Sequence, residues 1–158
     1  MAFAEMLQQT AFARWIGESG SLWGYPTILF LHTLSLATLA GVSAGINLRI
    51  LGIAPALPLA PMVRFFPLMW AAFAVSAASG TSLLVADATT KLAQTVFWVK
   101  LLFVLLAVIN LQMIRKRVFG DPLLDQRPIT PNARLLAMTS MVFWLGATIA
   151  GRLIAYIN

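Results

Sequence analysis

Four long apolar stretches, set apart by short polar or proline-rich segments, dominate the chain. They run over about residues 22–52, 63–86, 91–114 and 133–157. Each exceeds the ~20 residues, at ~1.5 Å rise apiece, that a helix needs to cross the hydrocarbon core of a bilayer. Ahead of them, residues 3–16 place Phe3, Met6, Leu7, Ala11, Trp15 and Ile16 near one helical face, with Glu5, Gln8, Gln9 and Arg14 elsewhere. That spacing predicts a short helix lying in the membrane interface, with Arg14 and Trp15 at headgroup level.

The segments between the stretches carry their own signals. GESGS closes the interfacial helix, and Ser21, Trp23, Gly24 and Pro26 mark the start of the first span. Pro55, Pro58 and Pro61 recur at every third position in IAPALPLAPMVRF, which predicts an extended connection rather than a helix. The same PxxP spacing suits an SH3-type ligand, a weaker reading in so hydrophobic a loop. ADATTK, residues 86–91, predicts a polar turn, and FGDPLLDQRPITPN a polar loop. The second span is studded with small residues from Ala71 to Gly80, which let helix backbones approach closely in lipid. The expected fold is all-α: one integral-membrane domain over 1–158, an antiparallel four-helix bundle with a short N-terminal interfacial helix.

Composition agrees with this pattern. The chain is 60% hydrophobic and 10% charged, with a mean hydropathy of +0.87. Soluble domains carry roughly 25% charge, so this inventory does not cover a water-exposed surface. The net charge of +6 sits beside the apolar runs, where it meets anionic lipid and sets topology, so no nucleic-acid partner is expected. With no cysteine there is no disulfide, thiolate metal site or iron–sulfur cluster. The first residues lack a basic region followed by a continuous apolar core, so a cleaved signal peptide is not expected.

Antiparallel spans put Arg14, Lys91 and Arg152 on one side and Arg49, Arg64, Arg115, Lys116, Arg117, Arg127 and Arg134 on the other, with Lys100 inside the membrane. The side richer in cations faces the cytoplasm. Both termini are therefore expected on the opposite side.

The only histidine, His32, lies inside the first stretch. An ionisable side chain within the membrane is a functional-site hypothesis, since imidazole leaves water cheaply only when its ring nitrogens find partners. His32 falls about 9–14 Å below the start of its span at helical rise. Lys100 lies below the start of the third span, and Arg152 near the end of the fourth, so all three share one half of the bilayer. Ser35, Leu36, Leu39, Ser43 and Ile46 fall near the face of His32, while Ala37, Gly41 and Gly45 fall on the far side, where a neighbouring helix or a second copy packs closely.

Neutral imidazole is a good axial ligand for haem iron, and Lys100 and Arg152 at similar depth suit haem propionates, with Trp98 or Phe97 beside the ring. A cofactor-free alternative hydrogen-bonds the histidine to Ser76 or Ser79 across a helix pair. Methionines such as Met69, Met138 and Met141 offer copper(I) ligands, though as apolar filler they need no such role. One histidine without cysteine or a central carboxylate does not fill a zinc shell. The acids Glu5, Glu18, Asp87, Asp121 and Asp125 all lie outside the spans, so no hydrolytic carboxylate pair or Ser-His-Asp arrangement is present.

LFLHTLSLATLAG followed by NLRILG, then FWVKLLFVLLAVINLQMIRKR and a closing WLGATIAGRLIAYI, resembles an uncharacterised group of small four-helix bacterial inner-membrane proteins. The layout is also similar to copper-resistance D proteins and to the bacterial four-helix protoporphyrinogen oxidase. In that oxidase a first-span histidine goes with haem b binding, an arginine ends the span, and a lysine follows a tryptophan in the third span. His32, Arg49 and Lys100, with Trp98 two residues earlier, match those positions. The oxidase has a further histidine at the end of its third span, where this chain reads Asn110, Leu111 and Gln112. The resemblance implies an inner-membrane protein with periplasmic termini that holds haem b, one per chain or shared between chains, in redox or electron-transfer work rather than oxidase activity. The alternatives are an accessory bundle without cofactor and a copper-handling protein. Four helices in so short a chain bury little surface, and homo-oligomers are expected.

Overall fold

The computed structural model describes residues 2–154 and 156, and side chains from Ala4 onward. Among them the chain is helical, with no strand. Two short helices, α1 (Ala2–Gln8) and α2 (Ala11–Glu18), precede α3 (Tyr25–Ile50). A 3-10 helix over Ala60–Phe65 leads into α4 (Phe66–Ala86), followed by α5 (Ala88–Ala93), α6 (Thr95–Arg117) and α7 (Pro131–Leu153). Four helical segments, Tyr25–Ile50, Ala60–Ala86, Thr95–Arg117 and Pro131–Leu153, are long and apolar enough to cross a membrane, as a multi-pass membrane protein requires.

Several boundaries differ from the sequence expectation. The single helix over 3–16 is two helices: Thr10 leaves helical geometry at ψ 147 and its hydroxyl caps Ala13 N at 3.2 Å, starting α2 afresh. Ile16 and Trp15 part company, Ile16 being buried against the protein and Trp15 45% exposed. Phe3, placed on the apolar face of this helix, has its side chain outside the described residues. The polar turn at 86–91 is mostly the helix α5, closed by an Asp87–Lys91 ion pair at 3.4 Å. Gln94 then adopts an extended backbone, ψ 119, so the third span starts at Thr95 rather than Lys91. The first span starts at Tyr25, just before Pro26, because residues 22–24 form a turn. The proline-rich connection is only partly extended, since Pro61 opens the 3-10 helix within its first turn. The fourth span begins two residues early at Pro131, capped by the Thr130 hydroxyl on Ala133 N at 3.3 Å. Its expected end at residue 157 lies outside the described residues.

α3 packs against α4 and α7, and α6 against α7. One continuous core joins them, with Leu39, Ile46 and Ile50 of α3, Phe66 and Met69 of α4, Leu111 and Ile114 of α6, and Ala137 and Trp144 of α7. Leu39 and Ile46 lie on the face of α3 read from the sequence as the face of His32, and Gly41, on the far side, has open space beside it. Gly146 brings α6 close to α7, because a Cβ there would lie 2.7 Å from the Phe103 ring. Outward faces stay apolar, Leu102, Leu105 and Ile109 of α6 being about half exposed, as lipid contact demands.

Connections at the basic end are pinned by polar contacts. Arg49 donates to the carbonyls of Leu57 and, at 3.0 Å, Pro55, holding the turn that follows α3. Asp125 accepts from Leu59 N at 2.7 Å and Ala60 N at 2.9 Å, tying the loop before α7 to the start of the 3-10 helix. Arg49, matched to an oxidase position by resemblance, thus has a structural use in this chain.

Candidate ligand site around His32

His32 sits about two turns into α3, facing α4. Its Nδ1 is 3.0 Å from the Ser76 carbonyl oxygen and 3.2 Å from Ser79 Oγ. A carbonyl only accepts, and the Ser79 hydroxyl donates its proton to Val75 O at 2.6 Å. Both neighbours of Nδ1 are therefore acceptors, and Nδ1 carries the proton. Nε2 is left as the lone-pair nitrogen, and Lys100 Nζ, a donor, lies 3.5 Å from it. The imidazole is thus fixed in one tautomer by the backbone of α4, as metal-binding histidines are usually oriented through the ring nitrogen that faces away from the metal.

Gly80 makes the arrangement possible, and Gly151 lies beside the lysine. A Cβ at Gly80 would lie 2.9 Å from His32 Cε1 and 3.3 Å from Nδ1, so the ring occupies space that any other residue would fill. A Cβ at Gly151, in the last turn of α7, would touch the Lys100 stem at 3.6 Å. α3, α4, α6 and α7 all contribute at one level of the fold. Gly80 was legible only as one of the small residues of the second span, and Gly151 gave no separate signal.

The other expected site residues fall as follows. Lys100 is half-buried and meets the histidine itself. Phe97 is half-buried and meets Trp98 edge to face at 5.6 Å, while Trp98 is 54% exposed and donates from Nε1 to Leu92 O at 3.1 Å. Arg152 neighbours Gly151 but is exposed, a residue further round the helix from the Lys100 contact. Geometry brings His32 and Lys100 together, and leaves Trp98 and Arg152 on the periphery of the same end. Asn110, where the oxidase pattern differs, donates to Thr139 Oγ1 at 2.7 Å and so couples α6 to α7. Met69 is fully enclosed in the core whereas Met138 is 50% exposed. Among the described residues no group of three or more His, Cys, Asp and Glu forms a metal site.

The donor set at this site is one imidazole oriented through Nδ1, whose Nε2 lone pair faces the Lys100 amine at 3.5 Å. Comparison with protein-family models, curated proteins and solved structures finds no match.

Proposed function

We propose that this chain is a bacterial inner-membrane protein that binds b-type haem through His32 Nε2, in redox or electron-transfer work. The carrying observation is the fixed tautomer: Nδ1 is committed to Ser76 O at 3.0 Å, leaving Nε2 as the ligating atom. Bound there, haem would supply a reversible one-electron iron centre. The chain's own part is to orient the imidazole through Ser76, Ser79 and Gly80, to exclude water with apolar helices, and to offer Lys100 and Arg152 to the propionates. Binding requires the Lys100 ammonium to leave Nε2 for an anionic edge, and Phe97 and Trp98 flank that end. The four spans form an antiparallel bundle with both termini periplasmic and α1–α2 at the interface, and copies of the chain self-associate.

Protein purified from haem-replete membranes should give a Soret band, and His32→Ala should lose at least nine-tenths of the haem while inserting normally. Wild-type protein without a Soret band, or a His32→Ala variant with the same spectrum and stoichiometry, overturns the assignment. A C-terminal alkaline phosphatase fusion should be active and a green fluorescent fusion dark, and the reverse pattern overturns the orientation.

The 3.5 Å contact between Lys100 Nζ and His32 Nε2 favours a second reading, an accessory bundle without cofactor in which the pair links α3 to α6. In that case Lys100→Met destabilises the fold in haem-free membranes. Under the haem reading its main effect is a several-fold weaker haem retention.

A further inference from the structure

The end of the molecule away from His32 carries cations with nothing in the chain to balance them. Arg64 just ahead of α4, Arg115, Lys116 and Arg117 at the end of α6, Arg127 in the loop before α7 and Arg134 in its first turn are all exposed. Asp125, through Leu59 N and Ala60 N, and the Phe119 ring, edge to face with Phe66 at 5.2 Å, hold these segments together. The carboxylates of this end are Asp121 and Asp125, and both are committed to backbone N–H groups, Asp121 to Leu123 N at 2.9 Å. Among the described residues the one ion pair is Asp87–Lys91, at the other end, and none of the six cations donates a hydrogen bond within the chain. Arg49, by contrast, directs its guanidinium to the carbonyls of Leu57 and Pro55. Two of the six are positioned without being neutralised: Arg64 lies over the Phe65 ring at 5.4 Å, and Arg115 reaches from α6 over the buried Phe66 ring of α4 at 5.8 Å. A ring face attracts a guanidinium and leaves its N–H edge free for an anion.

Independently of what His32 binds, we propose that this end is a binding site for an anionic phospholipid, its phosphate headgroup in the field of Arg64, Arg115 and Lys116 and its acyl chains on the apolar faces beside them. Clusters of about four to eight Lys and Arg directly outside a span attract anionic lipid, and six unpaired cations form such a cluster. All but Lys116 are arginine, whose planar fork binds phosphate bidentately, so phosphate is favoured over carboxylate. A zwitterionic head would bring its own ammonium among like charges. The cations also sit where charge gives way to apolar surface. Leu68, one turn from Arg64, is 48% exposed, and Met138, one turn from Arg134, is 50% exposed. Residues four apart share a helix face, so each guanidinium adjoins a side chain open to acyl chains. A soluble anion would use the charges and leave that apolar surface unused. Either orientation of the chain presents the same cluster to a headgroup layer.

The test titrates the full chain, purified in mild detergent, with phosphatidylglycerol and phosphatidylcholine of identical acyl chains, and counts bound lipid by native mass spectrometry. Phosphatidylglycerol should bind at least about tenfold more tightly. Arg64→Gln and Arg115→Gln should each weaken it about fivefold while leaving phosphatidylcholine unchanged. Arg14→Gln removes the same charge at the other end of the chain and should change neither affinity. Circular dichroism checks that the variants keep their helices, and the comparison of the two lipids on the unaltered chain decides if one does not. Equal affinity for the two lipids, or an equal loss from Arg14→Gln, overturns the proposal. Displacement of phosphatidylglycerol by glycerophosphoglycerol, which has the same headgroup and no acyl chains, overturns it as well, since the cluster then takes a soluble phosphate.

Discussion

The two polar clusters inside this apolar bundle differ in how completely they are satisfied. At the His32 end, the imidazole, the Ser79 hydroxyl and the Lys100 ammonium all have partners. Around Asn47 and Trp144, the side chains of Ser43, Asn47 and Ser140 bond to one another while an acceptor, Asn47 Oδ1, and a donor, Trp144 Nε1–H, remain over. Both place polar atoms where lipid offers none, yet only the first is closed. A closed cluster orients the imidazole, whereas an open one leaves a buried acceptor and a buried donor uncompensated. Substitutions should therefore have opposite consequences in the two places.

The largest effect on the fold is expected at Gly80. Gly80→Ala puts a methyl carbon 2.9 Å from His32 Cε1, and overpacking of this kind costs about 1–3 kcal/mol, more than the small gain in helix propensity returns. The ring must turn, and the hydrogen bond from its Nδ1 to the Ser76 carbonyl breaks first. Nitrogen NMR of the only imidazole reads this directly. The unaltered chain should show Nδ1 as the protonated nitrogen, and Gly80→Ala a mixture of tautomers. An unchanged spectrum with unchanged stability would mean that Gly80 does not set the ring.

Much of the architecture could be read from hydrophobic runs, because a span needs length and apolarity more than any single residue. The pairing of His32 with Lys100 was legible through depth alone. Registers were not: Thr10 and Gln94 break helices through backbone geometry that no apolar pattern records. Arg152 shows the limit of a depth argument, since adjacent helical residues point about 100° apart and Gly151 takes the inward position. Periodicity placed Ser43 on the buried face of α3, but said nothing of α7 as its neighbour. The Asn47–Ser140 bond depends on that neighbour.

A smaller loss is expected from Ser79→Ala. Nδ1 keeps the Ser76 carbonyl at 3.0 Å and gives up only the weaker hydroxyl partner at 3.2 Å, so about 0.5–1.5 kcal/mol should disappear from stability in detergent. The tautomer should persist, because the remaining neighbour is still an acceptor. Inversion to the other tautomer in this variant would show that the hydroxyl, rather than the carbonyl, fixes the ring.

The smallest effect, and the sharpest contrast, belongs to Trp144→Phe. The indole N–H makes no hydrogen bond, so its removal takes away an unsatisfied donor along with part of a ring that packs in the core. Reduced packing costs up to about 1.5 kcal/mol for a near-isosteric apolar exchange, and relief of the buried donor offsets about 1–3 kcal/mol. The net change in unfolding free energy should thus lie near zero or favour the variant, unlike nearly every other truncation of a 5% exposed tryptophan. Reversible unfolding in mixed micelles measures it. A loss above about 2 kcal/mol would mean that Nε1 is bonded in the folded protein after all.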